Sequence, residues 1–177
     1  SEDPVFYRMK VLNEMISIVN TDIVVNYDCD VLFKKDTYIK SVKMIEDGYD
    51  LVYPYGFGQY QKQVFVDDED VSDFVQFYNR KSYIKAGMEN ENFRGSSPED
   101  KERYYRFDKM GYNIGRINDF VYHLEHSRGS NSWPNSVHGN PYMQSNFNVW
   151  ESIQKMSVEE LKEYYSNQEY LKKYVSC

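Results

Sequence analysis

The chain has 177 residues and a formal net charge of −7, so it is long enough for one domain with a sizeable core and too acidic for a nucleic-acid partner to be expected. Its two cysteines, Cys29 and Cys177, make no disulfide framework and suit a reducing compartment. No run is long and apolar enough to span a bilayer and no signal peptide is visible, which predicts a cytoplasmic location or a peripheral one at the inner membrane face.

In chain order, Val5, Met9, Leu12, Ile16 and Val19 recur at helical spacing, and Pro4 suits a first turn. Ile23, Val24 and Val25 then form a short apolar β-branched run, the pattern of a buried strand, which leads into Asp28-Cys29-Asp30. Carboxylates at i and i+2 of an extended segment point the same way. At the carboxyl end of a buried strand they would face the crevice where open α/β sheets bind ligands. Their mutual repulsion asks for a positive neighbour, and a hard divalent cation carrying a diphosphate meets that need. A solvated Asp-rich turn is the competing reading of so short a pattern.

Residues 35–47 read as a helix with Tyr38, Val42 and Ile45 on one face, stopped by Gly48. Residues 49–53 read as a strand, 54–58 as a turn and 64–66 as a short strand. The acidic run 67–70 lacks the glycine and closing glutamate of an EF-hand, so it reads as a solvated helix start. Residues 79–87 read as a short amphipathic helix ended by Gly87.

A stronger helix start follows, with Ser97 as N-cap, Pro98 at the first helical position and Glu99 and Asp100 in the first turn; this helix runs to Met110 and stops at Gly111. On composition alone, Glu99 and Asp100 complement the helix dipole. Residues 113–117 and 120–124 read as strands, the second delivering His123 and then His126. Two histidines beside a strand end favour a metal site. Three residues apart on a strand they face opposite ways, so both reach one ion only if the chain bends between them.

Residues 127–148 are rich in Ser, Gly, Asn and Pro and contain Trp133, the composition of a disordered segment or a lid. Residues 149–177 read as a helical tail with capping boxes at Ser157/Glu160 and Ser166/Glu169. No repeat, linker, P-loop or dinucleotide glycine motif is visible, and the whole chain reads as one domain.

Taken together, Asp28-x-Asp30 after a strand, Asn79-Arg80 with Ala86-Gly87, Gly95 with Glu99-Asp100, and His126-Ser127-Arg128 resemble the GT-A glycosyltransferases. The likeness, over about residues 13–135, is to the galactosyltransferase-like C-terminal region of family 2 enzymes and β-1,4-galactosyltransferases. It implies an α/β, Rossmann-like mixed sheet flanked by helices. It also implies Mn²⁺ (or Mg²⁺) held by Asp30 and His126, with His123 where the family often has Met, and Asp28 at the sugar nucleotide or supporting the metal. Asp100 would be the base that takes the acceptor proton, and Glu99 would help hold the acceptor. Arg128 and Trp133 would join Asp28 and Asp30 in binding the donor. Where the family has tryptophan-glycine pairs, this chain has residues 93–98, Phe-Arg-Gly-Ser-Ser-Pro.

The resemblance thus predicts a metal-dependent inverting transferase that moves galactose or N-acetylgalactosamine from a UDP-sugar to a saccharide acceptor. The alternatives are a non-catalytic carbohydrate-binding or structural remnant and a metal-dependent nucleotidyltransferase, which should show a glycine-rich phosphate loop. Because GT-A domains usually open with strands that hold the nucleotide base, a domain trimmed at its amino end is expected. Self-association through an unpaired sheet edge near residues 23–25 goes with that expectation.

Overall fold

The structure is a computed structural model that describes residues 6–60, 63–66, 74–95, 98–126 and 140–175. Among these residues it is an α/β fold with seven helices and two mixed four-stranded sheets. They fall into two compact units.

One unit comprises Asn20–Lys85 and Phe107–His126. Its first sheet has the order β1 (Ile23–Tyr27), β6 (Val75–Asn79), β3 (Leu51–Tyr53), β7 (Ile114–Arg116). Only the β3–β7 pair is parallel. Its second sheet has the order β2 (Val31–Leu32), β8 (Phe120–His123), β4 (Phe57–Tyr60), β5 (Gln63–Val66), with β4 and β8 parallel. Helix α2 (Lys35–Glu46) supplies Ile45 to a core that also holds Val31, Val52, Tyr55, Val75, Phe77 and Val121. The turn from α2 to β3 places Gly48 at φ +105°, where a side chain would be strained. Short helix α3 (Arg80–Lys85) follows β6 directly.

Three sequence expectations change here. Ile23, Val24 and Val25 do not form a strand buried on both faces: β1 alternates, with Val24 buried and Val25 exposed, because β1 ends the order of its sheet. The central position belongs to β6, which sequence reading had left out. It is flanked by strands on both sides and buried from Val75 to Tyr78, so it shows no alternation to read. The turn expected over residues 54–58 is shorter, since Phe57 already begins β4.

The other unit gathers α1 (Arg8–Ile18), Ala86–Arg106 and the C-terminal helices α5 (Met143–Lys155), α6 (Val158–Ser166) and α7 (Glu169–Val175). Helix α4 (Glu99–Lys109) begins in it. Met9 and Ile16 of the expected α1 stripe are buried, but the position between them is taken by Asn13, also buried, rather than Leu12. The expected loop 127–148 is too long: its last residues are the first turns of α5, and residues 127–139 lie outside those described.

The capping box at Ser157 and Glu160 is complete, with both reciprocal hydrogen bonds formed. The second box is not. Ser166 is still inside α6 and its hydroxyl donates to the Glu163 carbonyl, while α7 starts only at Glu169. Ser97 and the acidic run 67–70 lie outside the described residues. No helix among the described residues is long and apolar enough to cross a membrane.

Candidate metal centre and carboxylate pair

Asp28-Cys29-Asp30 is a turn and not the end of an extended strand, which corrects the argument from i and i+2 parity. The Val31 amide donates to the Asp28 carbonyl at 3.2 Å, closing the turn, and the Asp28 amide donates to the Phe74 carbonyl at 2.9 Å. The chain then enters β2, where Val31 stands opposite His123 in the antiparallel register with β8. That register carries Asp30 to the end of β8, and the Leu124 amide donates to the Asp30 carbonyl at 2.7 Å.

β8 ends at His123, so strand parity no longer applies by residue 126. Asp30 Oδ2 lies 3.0 Å from His126 Nε2 and 3.5 Å from His123 Nε2, and the two rings sit 5.6 Å apart between centroids. Asp30, His123 and His126 each offer a ligand atom within 4.8 Å of the others. His123 is the most enclosed, with its side chain 6 % exposed against 42 % for His126.

Phe74 packs on the His123 ring at 5.0 Å. His123 Nδ1 lies 3.0 Å from the Leu124 carbonyl, which can only accept, so Nδ1 is the donor in that bond and Nε2 is the ring nitrogen that faces Asp30. One carboxylate and two imidazoles form a reasonable donor set for a first-row divalent ion. The Asp28 side chain is not part of this grouping.

Glu99 and Asp100 open α4 and belong to the other unit. Glu99 is buried and Asp100 half-buried. Arg8 Nη1 of α1 lies 3.8 Å from a carboxylate oxygen of each, and Arg103 Nη1 lies 3.9 Å from Asp100 Oδ1. Sequence reading missed both arginines. Arg103, three residues after Asp100, had a helical-spacing signal, whereas Arg8 had none.

The helix is also held through Arg103 and Arg106. Arg103 grips Glu89 with Nε and Nη2, the shortest contact being 2.6 Å. Arg106 Nε lies 3.1 Å from Glu102 Oε1, and its Nη1 donates to the Ala86 carbonyl at 2.7 Å. Both guanidinium groups are fully buried. Burial pushes the Glu102 carboxyl up from its ordinary range, with Arg106 opposing that shift. Arg128 and Trp133 lie outside the described residues.

Comparison of the sequence with protein-family models and with curated proteins finds no match. Comparison of the structure does: the architecture is that of the GT-A-like glycosyltransferase fold. One solved structure that matches is a mutant Drosophila β-1,4-galactosyltransferase 7 in complex with manganese, UDP-Gal and xylobiose. The TM-score is 0.57 at 14 % identity, over 90 % of this chain and 66 % of that one. The present chain therefore spans just under two thirds of its structural neighbour.

Proposed function

We propose that the chain is, or is part of, a metal-dependent inverting glycosyltransferase that uses a UDP-sugar, with galactose or N-acetylgalactosamine as the transferred residue and a saccharide hydroxyl as acceptor. The observation that carries this reading is the convergence of Asp30, His123 and His126 within a fold shared with a manganese- and UDP-Gal-bound galactosyltransferase. Asp30, His123 and His126 would hold Mn²⁺, which offsets charge on the diphosphate leaving group. Two nitrogen ligands fit Mn²⁺ better than Mg²⁺, which prefers oxygen and keeps its waters.

The remaining roles belong to side chains. Asp28, Arg128 and Trp133 are assigned to the donor. Asp100 accepts the proton of the acceptor hydroxyl through a carboxylate oxygen, and Glu99 orients that acceptor. Asp100 stands in the first turn of α4 with Arg8 and Arg103 close by.

Electron paramagnetic resonance titration with Mn²⁺, run beside a UDP-sugar transfer assay, tests the proposal. Asp30→Ala and His126→Ala should each weaken Mn²⁺ binding by ~100-fold or more, since even outer partners of a metal are worth 10–100-fold. Asp100→Asn should leave Mn²⁺ binding intact while abolishing transfer. Unchanged Mn²⁺ affinity in Asp30→Ala would sink the metal reading, and transfer surviving in Asp100→Asn would remove Asp100 as the base.

A further inference from the structure

The sheet that carries His123 has a second face, which the proposed reaction leaves unused. In the β2–β8 register Leu32 stands opposite Tyr122, and in the β4–β8 register Phe57 stands beside Phe120 and Gln59 beside Tyr122. Paired residues share a face, and so do alternate residues along a strand. Leu32, Phe57, Gln59, Phe120 and Tyr122 therefore point one way, and Val31, Val121 and His123 the other. Val31 and Val121 are core residues, so the first set faces outward.

Exposure agrees, with Leu32 and Tyr122 each 52 % exposed. The rings form a continuous row: Phe57 to Phe120 at 5.5 Å and Phe120 to Tyr122 at 4.5 Å, both edge-on. Leu32, Phe33, Lys34, Phe120 and Tyr122 line an open groove of about 330 Å³.

The groove is open to water, and an apolar groove with polar edges is the usual form of a small-ligand site. Its size and chemistry select the occupant. A stable protein partner needs roughly 800 Å² on each side, whereas about 330 Å³ is at the small end of the range for small-ligand pockets. The floor is aromatic, but the margin is polar, with the Tyr122 hydroxyl and the Lys34 ammonium. Lys34 is steadied by Asp119 at 3.0 Å, and an ammonium keeps further donors for a ligand. A purely apolar molecule would leave that margin unused, and an anion would gain nothing from the aromatic floor.

A pyranose ring presents an apolar C–H face and a rim of hydroxyls, and so matches both. We infer that this groove binds a neutral saccharide, one or two pyranose rings stacked on Phe120 and Tyr122 with their hydroxyls toward Lys34 and the Tyr122 hydroxyl. Because Tyr122 and His123 project from opposite faces of β8, the groove is a separate anchoring site for a sugar chain. It does not depend on the transfer proposed above.

The test is an NMR titration of the full chain with cellobiose and with N,N′-diacetylchitobiose, and with benzyl alcohol as an apolar control. At least one disaccharide should shift the resonances of Leu32, Phe120 and Tyr122. Tyr122→Ala, at an exposed position, should weaken that binding about 10-fold, the scale of one aromatic contact, while Tyr122→Phe retains most of it. Mn²⁺ affinity should be the same in all three proteins, which separates this site from the metal centre. The inference is overturned if neither disaccharide shifts these residues, or if Tyr122→Ala binds like the parent. It is equally overturned if benzyl alcohol gives the same shifts, or if the shifts follow protein concentration instead of sugar.

Discussion

At the scale of single residues, two buried asparagines do the same job in different places. Asn13 Oδ1 accepts from the Glu89 amide and its Nδ2 donates to the Glu89 carbonyl, both at 2.9 Å. Asn146 does this for Arg94, at 3.0 Å and 2.9 Å. Each side-chain amide replaces a backbone partner for irregular chain that has no strand to pair with, which is the accounting that buried backbone demands. Asn146 thereby fixes the segment leading to Glu99 and Asp100. Asn146→Ala should cost about 1–3 kcal/mol, the penalty for stranding buried polar groups, read as a lower urea midpoint with an unchanged slope. On the proposed function it should also lower transfer, through misplaced carboxylates.

Asp119 is a second residue-scale device. It accepts from Lys34 at 3.0 Å, from Thr37 at 2.8 Å and from the Phe120 amide at 2.9 Å, tying the start of α2 to β8. The Lys34 bond first, then the Phe120 amide and Thr37, lower its carboxyl to about 2. A depressed carboxylate stabilises the fold above its ordinary value of 3.8 and loses that contribution as pH falls toward about 2. Acid unfolding followed by circular dichroism should show stability falling across that window, and Asp119→Asn should flatten the fall. An unaltered acid profile in the variant would count against this role.

At the scale of elements, glycines that stop helices are not equivalent. Gly48 and Gly111 both have positive φ, yet an added Cβ would meet nothing within 4 Å at either. At Gly87, with φ +103°, an added Cβ would lie 2.2 Å from the Tyr165 ring. Gly87 thus both follows a helix stop and lies against Tyr165 of α6. Gly87→Ala combines backbone strain of about 1–2 kcal/mol with overpacking of about 1–3 kcal/mol, so thermal unfolding should place it well below Gly48→Asn, which faces only the first term. Equal melting of the two variants would refute the close approach.

At the scale of the whole molecule, the helical unit is organised around buried charge. Glu89, Glu102, Arg103 and Arg106 are all buried, and the Tyr165 hydroxyl donates to Glu102 at 2.5 Å while Arg106 lies over the Tyr165 ring. Such pairs add little net stability, but removing one partner is costly. Burial, and then the Glu102 charge, push the Tyr165 hydroxyl well above its ordinary value of 10.0; Tyr170 is also raised, mainly by burial. A raised acid contributes stability that is intact below the unfolded value and lost as pH climbs toward the folded one. Stability should therefore fall as pH rises past 10, with tyrosinate absorbance appearing alongside unfolding. Tyr165→Phe should be less stable at neutral pH, because Glu102 loses a donor, and should fall less steeply above 10. A steeper alkaline fall in that variant would contradict the assignment.

Local chemistry alone determined much of this chain. The Ser157/Glu160 box, the glycine stops at Gly48 and Gly111, and the span of α2 follow from capping and helical periodicity, interactions closed within a few residues. Asp30, His123 and His126 were also visible as candidate ligands, because their residue types stand out beside strand ends. Their meeting at one site is what the family resemblance implied, and the three do come together, but local pattern does not carry the geometry of that meeting. It depends on the β2–β8 register, and on β8 ending at His123, which local pattern cannot specify across so long a stretch of chain. β6 escaped notice for a related reason: a strand buried on both faces loses the alternation that marks a strand, and only its neighbours β1 and β3 define it. The asparagine clamps and the arginines beside Asp100 likewise exist only once distant segments have packed, since tertiary contacts create the buried polar groups that those side chains then satisfy.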